Sequence, residues 1–251
     1  MEYAGYAAQL AVDSATLSAL LTSAELALPV RSCPGWTLTD LGQHVSAVYQ
    51  HKIAVLRTGT RPDPWPPEPL PDLWEAPVSR FLATSAGDLL RELAQHDPAE
   101  PCWTWYPEDQ SVGFWGRRMA QETVIHLWDA QDAVSGRPAP IEDSIAVDGI
   151  DELLVAFLAG DWSDEAQPGP YGTVEIRAGS EGWRVGLGPE EVTVSLLAPG
   201  AAPADAADAV ISDSKQGMML ALWGRRPMPT PEPEGKELVD ALRARLLLVT
   251  D

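Results

Sequence analysis

Met119-Ala-Gln-Glu-Thr-Val-Ile-His-Leu-Trp-Asp129 runs without a glycine or proline and reads as one helix. Glu122 and His126 stand four apart, and Asp129 follows three later. On an α-helix those offsets stack side chains on one face. A carboxylate beside an imidazole can share a divalent cation if a third donor arrives from elsewhere. The candidate third donor is His44, inside Asp40-Leu-Gly-Gln-His-Val-Ser46, which reads as a second helix. Inward-facing Glu and His on neighbouring helices are how helical bundles build metal sites. Two His and one Glu leave a four-coordinate zinc with an open position, the pattern of a catalytic rather than a structural site.

The remaining candidates are weaker. His51 lies seven residues after His44 but nears the helix end beside Lys52, and reads as a surface residue. His96 precedes Asp97-Pro98 and reads as an exposed loop residue. Asp129 reads equally as a fourth ligand or as a partner that orients a ligating histidine. Cys33, in the turn before the second helix, reads as a small buried residue. Trp36, Trp103, Trp105, Trp115 and Trp128 either line an apolar pocket or pack the core.

Outward from that stretch, periodicity predicts helices over about 6–26, 38–56, 73–94 and 114–134. Pro34-Gly35 marks a turn, and Thr37 with Asp40 three later forms a capping box that starts the second helix. Residues 59–71 are too rich in proline for a helix. Ser135-Gly136-Arg137-Pro138 stops the fourth helix. Beyond Pro140 a helix over 143–158 leads into alternating runs at 172–177, 183–187 and 192–196, with a fourth at 209–212. A period of two between turn residues predicts antiparallel strands. Helices over 214–223 and 235–248 close the chain. The expectation is a mainly α protein: a four-helix bundle over 1–140 and a small α+β domain with an antiparallel sheet over 141–251.

Composition narrows the function. The 251 residues carry 17 Lys and Arg against 37 Asp and Glu, a net charge of −20. Such a surface repels phosphate backbones and anionic membranes, so nucleic acid and membrane are not expected partners. No apolar run approaches the roughly 20 residues of a membrane span. Two cysteines cannot build a disulfide framework, and the first residues lack the basic start of a signal peptide, so a cytoplasmic protein is expected.

Three motifs resemble one known family. Cys33-Pro-Gly-Trp-Thr-Leu-Thr-Asp-Leu-Gly-Gln-His44 and Arg117-Arg-Met-Ala-Gln-Glu-Thr-Val-Ile-His-Leu-Trp-Asp-Ala-Gln131 are similar to the second and fourth helices of the mycothiol-dependent maleylpyruvate isomerase family. Leu220-Ala-Leu-Trp-Gly-Arg225 resembles a motif of its C-terminal domain. That family belongs to the DinB/YfiT-like metal-binding four-helix bundles. The resemblance implies a divalent metal, usually zinc, on His44, Glu122 and His126. It also implies that Arg225 reaches toward the site and binds anionic groups or the thiol. A cation at a helix C-terminus is the alternative reading of Arg225.

The activity so implied is a thiol-using one. The metal activates mycothiol for attack on an electrophilic small molecule, in an isomerase or an S-transferase. Two rivals stand beside it: a non-catalytic metal-binding or regulatory protein of the same fold, and a hydrolase using metal-activated water. The hydrolase lacks a dedicated general base beyond Asp129. Oligomeric state is not legible from the sequence.

Overall fold

The computed structural model describes residues 2–63, 76–165, 167–198, 207–232 and 234–250. The chain divides into two compact units, Met1–Ala139 and Pro140–Asp251. The first is built from α1 (Tyr3–Ser23), α2 (Leu38–Thr58), α3 (Val78–Leu93) and α4 (Val112–Ser135). The expected third helix begins later than predicted, at Val78, and Leu73 and Trp74 lie outside the described residues.

Packing in this unit is cyclic. Helix α1 lies against α3 and α4, and α2 lies against the same two, so α2 and α4 are neighbours. Leu10, Leu17, Leu41, Val45, Leu82, Leu89 and Ala120 fill the centre and are fully buried. Gly42 lets the helices close up: a Cβ there would meet Val78 Cγ2 at 2.5 Å and Leu21 Cδ1 at 2.7 Å. Across the α2–α4 seam, Tyr49 and Thr123 share a buried hydroxyl–hydroxyl hydrogen bond of 2.5 Å. That bond lies below His44 and pins the two helices that carry the candidate donors.

The second unit opens with α5 (Asp143–Asp151), which widens into a π-helical segment, Glu152–Leu158. Strands β1 (Gly160–Asp161), β2 (Gly172–Ala178), β3 (Glu181–Leu187), β4 (Glu191–Leu196) and β5 (Ala209–Asp213) follow. Their order is β1-β4-β3-β2-β5. Helices α6 (Lys215–Leu222) and α7 (Lys236–Thr250) complete the unit. Val174, Ile176, Val185, Leu187 and Ile211 form the apolar side of the sheet, and α6 and α7 both contact β2 and β5.

The sheet differs from the antiparallel expectation in one pairing. Strands β2, β3 and β4 form an antiparallel meander, but β5 runs parallel to β2, with Val174 opposite Ala209 and Ile176 opposite Ile211. A long connection separates β4 from β5, so β5 is free of the hairpin constraint that forces neighbours antiparallel. Strand β1 was not expected; two residues are too few to show an alternation.

Candidate metal centre

The start of α2 fixes where His44 lies. Thr37 Oγ1 accepts from the Asp40 amide at 3.4 Å, and Asp40 Oδ2 accepts from the Thr37 amide at 2.8 Å. This reciprocal cap is worth about 1 kcal/mol and sets the helix register from its first turn. On α4, Ser111 caps the first turn and Gly136, left-handed at φ 63°, ends the helix. Between those ends Glu122 and His126 sit one turn apart and face α2.

The structure brings His44, Glu122 and His126 together, with one donor atom from each within 4.8 Å of the others. Glu122 Oε1 lies 3.0 Å from His44 Nε2 and 3.4 Å from His126 Nε2. Two donors about 2 Å from a shared tetrahedral ion are roughly 3.3 Å apart, so this donor set fits a zinc-like cation. The imidazole rings meet edge to face at 5.0 Å. Trp36 packs against both, 4.8 Å from His44 and 6.2 Å from His126. The His44 side chain is 36% exposed, whereas those of Glu122 and His126 are 14% and 10% exposed, so the trio opens to solvent at His44.

Two of the three donors, Glu122 and His126, have a backing group. Arg118, one turn before Glu122 and buried, donates from Nη2 to Glu122 Oε2. Asp129, also buried, places Oδ2 3.1 Å from His126 Nδ1 and accepts at Oδ1 from Ser32 Oγ at 2.6 Å. Asp129 therefore faces His126 Nδ1, the ring nitrogen opposite the one that faces Glu122.

Burial alone pushes the Glu122 carboxyl up. Hydrogen bonds from His126 and His44, with the charges of His126 and Arg118, outweigh it and hold the group well below the usual carboxylate range. Burial pushes the His126 imidazolium down, but its hydrogen bonds with Asp129, Cys33 and Glu122 and the Glu122 charge raise it well above its ordinary value. The cluster is thus a site that stabilises positive charge next to Glu122.

Two readings of the sequence are corrected. Cys33 is not a plain core residue: it is half-buried, and its thiol lies 3.8 Å from Asp129 Oδ2. With His126 and Asp129 it forms a second group of donors within 4.8 Å. His96 is not an exposed loop residue: its ring lies 3.0 Å from Glu100 Oε1 and 3.7 Å from Glu92 Oε1, with 19% exposure. The two flanking carboxylates cover it.

His51 is half-buried on α2. Trp103, Trp105 and Trp115 join Phe114 and Tyr106 in an aromatic cluster, and Trp115 donates to the Trp103 carbonyl at 2.7 Å. Trp115 and Phe114 are buried in the core, whereas Trp105 lies at the exposed edge of the cluster. Arg225 lies in the second unit, just past α6, where its Nη1 donates to the Trp223 carbonyl at 2.7 Å.

Sequence reasoning missed Arg118 and Lys52. Arg118 precedes Glu122 by four, so the spacing rule applied to the donors was sufficient to find it. Lys52 is 8% exposed, its ammonium 4.6 Å from the Trp115 ring centroid, and nothing local announces that burial.

Residues 7–131 match the family described as the mycothiol maleylpyruvate isomerase N-terminal domain. No curated protein sequence matches the chain significantly. The chain is similar in structure to the crystal structure of the mycothiol-dependent maleylpyruvate isomerase, with a TM-score of 0.62 at 14% identity over 92% of this chain and 93% of that one. It is also similar to the crystal structure of a histidine-to-alanine mutant of that isomerase, with a TM-score of 0.59 at 12% identity and the same coverage. At those identities the likeness is one of fold. The matched residues include α2 and the part of α4 that carries Glu122 and His126, and through them the chain belongs to the mycothiol maleylpyruvate isomerase N-terminal domain family.

Proposed function

We propose that this protein is a mycothiol-dependent isomerase or S-transferase acting on an electrophilic small molecule, with a divalent cation, zinc by its donor set, held by His44, Glu122 and His126. The observation that carries the reading is the meeting of those three side chains, from two helices, within 4.8 Å in a chain of this family. Such a cation, when bound, supplies the Lewis acidity that keeps a thiol ionised near neutral pH.

The chain's own residues prepare that chemistry. His44 and His126 present Nε2 toward a common point with Glu122 Oε1. Asp129 accepts the Nδ1–H of neutral His126, which selects the tautomer whose Nε2 lone pair faces inward. Trp36 covers one side of the imidazole pair and excludes water there. The open side at His44 is the approach for thiol and electrophile. In the isomerase, thiol addition to a conjugated cis double bond leaves a single bond that rotates, and elimination returns the trans alkene and the thiol. In the transferase the thioether is released. Arg225 is the candidate for binding anionic groups or the thiol.

The two units Met1–Ala139 and Pro140–Asp251 are read as a metal-binding bundle domain and a smaller α+β domain. The test is direct. Zinc-loaded protein is incubated with mycothiol and maleylpyruvate, then with a panel of other electrophiles. Loss of the cis isomer and consumption of thiol are followed separately. Either rate should exceed that of a His44→Ala control. Rates equal to the control on every substrate reject the enzyme reading.

A further inference from the structure

The two oxygens of Glu122 face different partners. Oε1 points to the histidine pair, 3.0 Å from His44 Nε2 and 3.4 Å from His126 Nε2. Oε2 accepts from Arg118 Nη2. Arg118 is itself 6% exposed and sits on the same helix one turn earlier, so its guanidinium is fixed by packing as well as by charge. A buried guanidinium–carboxylate hydrogen bond is charge-assisted and strongly directional. It occupies the oxygen that a bidentate carboxylate would otherwise turn toward a cation.

We propose that Arg118 is a positioning residue that restricts Glu122 to one cation-facing oxygen, and so keeps the site at four positions, three of protein and one open. The inference rests on the metal site proposed above. Its consequence is selectivity. One oxygen and two imidazole nitrogens suit tetrahedral ions such as zinc and cobalt. A bidentate carboxylate adds a ligand and favours ions that take five or six, such as manganese. Lys52 adds positive charge near Glu122 and Arg118, but its ammonium stands over the Trp115 ring. Arg118 is the group whose hydrogen bond to Oε2 divides the carboxylate.

The coordination number is read without any activity assay. Metal-free protein is loaded with cobalt(II), whose ligand-field bands are intense for four ligands and weak for six. Wild type should give the intense spectrum. Arg118→Gln, checked for folding by circular dichroism, should lose several-fold in band intensity and shift toward manganese in a zinc–manganese competition. Arg118→Lys, which keeps a cation four residues before Glu122, should restore most of the intensity. Wild type that takes up no cobalt defeats the metal reading and this inference together. A weak wild-type spectrum defeats this inference alone. So does an Arg118→Gln spectrum identical to wild type, or a folded Arg118→Gln that binds no cobalt, since freeing an oxygen ought to add a ligand.

Discussion

Asp129 stands one turn after His126 on α4 and holds its carboxylate 3.1 Å from the imidazole Nδ1. Ser32 fixes the other carboxylate oxygen at 2.6 Å from a separate segment of the chain. The carboxylate cannot swing away without breaking that second bond. An imidazole backed in this way is locked in rotation and in tautomer, and is a stronger donor through Nε2. Asp129→Ala should therefore weaken zinc affinity by about 10- to 100-fold, the usual range for losing such a partner. Asp129→Asn, which keeps the shape and loses the charge, should fall between. Chelator competition measures both. Affinity unchanged in Asp129→Ala would separate the carboxylate from the site.

Removing a donor should act on metal content before anything else. His44 is the better probe, because its side chain is 36% exposed and its loss leaves little empty core. His44→Ala and Glu122→Ala should emerge from purification with much less zinc than the parent protein. Bound ligand stabilises the folded state by about 2.7 kcal/mol at a hundredfold excess over its dissociation constant. Added zinc should raise the melting temperature of the parent and leave that of His44→Ala nearly unmoved. Equal zinc-induced shifts in the two would place the ion elsewhere.

Lys52 gives a pH dependence whose sign is set by burial. Desolvation pushes its ammonium down to about 8, against the pull of Glu122 and with the push of Arg118. In the unfolded chain a lysine titrates near 10.4. Between those two values the unfolded chain keeps a proton that the folded chain has released, so stability rises with pH across the window. Below pH 8 the folded state bears the whole penalty, on the order of 3 kcal/mol from the size of the shift. The ammonium's contact with Trp115 offsets part of it. In metal-free protein, Lys52→Met should be more stable than the parent at pH 7, by about 1–3 kcal/mol. The gap should close as pH approaches 10.5. Denaturant melts at several pH values measure it, and a gap that does not change with pH would show that Lys52 is not a buried titrating group.

Local signals in the chain carried the bundle and the donor trio; contacts made at long range were hidden. Thr37 and Asp40 announce α2 because a capping box is closed within four residues. Glu122 and His126 announce a shared face because helical spacing is local, and His44 follows as the histidine on a capped helix. Strands β2, β3 and β4 show their alternation, whereas the parallel pairing of β5 depends on a connection that carries no period. The position of Cys33 beside Asp129 joins residues separated by 96 in sequence, and only packing of the turn onto α4 creates it. His96 was misread for the opposite reason: Asp97-Pro98 signals a loop correctly, but Glu92 and Glu100 close over the ring from both sides.

Arg225 distinguishes a binding role from a capping one. Its guanidinium donates to the Trp223 carbonyl at 2.7 Å, and its amide donates to the Leu220 carbonyl at 2.7 Å, which ends α6. A cation there is worth about 0.3–1 kcal/mol to the helix. If capping is its whole role, Arg225→Ala should lose that much stability with KM unchanged. The function proposed above requires more: KM for thiol or anionic substrate should rise by tenfold or more while zinc content stays at the parent level. An unchanged KM would remove Arg225 from the binding machinery.

The two cysteines should react very differently. Cys102 is 4% exposed, and burial pushes its thiol up, so it meets neither the access nor the ionisation that alkylation needs. Cys33 is half-buried in the turn before α2, with its sulfur 3.8 Å from Asp129 Oδ2. Iodoacetamide should label Cys33 in the native protein and Cys102 only after unfolding, as read by peptide mass spectrometry. The carboxamidomethyl group then occupies the space beside Asp129 and presses on the carboxylate that backs His126. Labelled protein should lose zinc affinity by a factor like that of Asp129→Ala, while Cys33→Ser treated the same way should keep it. Full labelling of Cys33 with zinc affinity intact would mean that the thiol and the His126 support are mechanically independent, despite the distance between them.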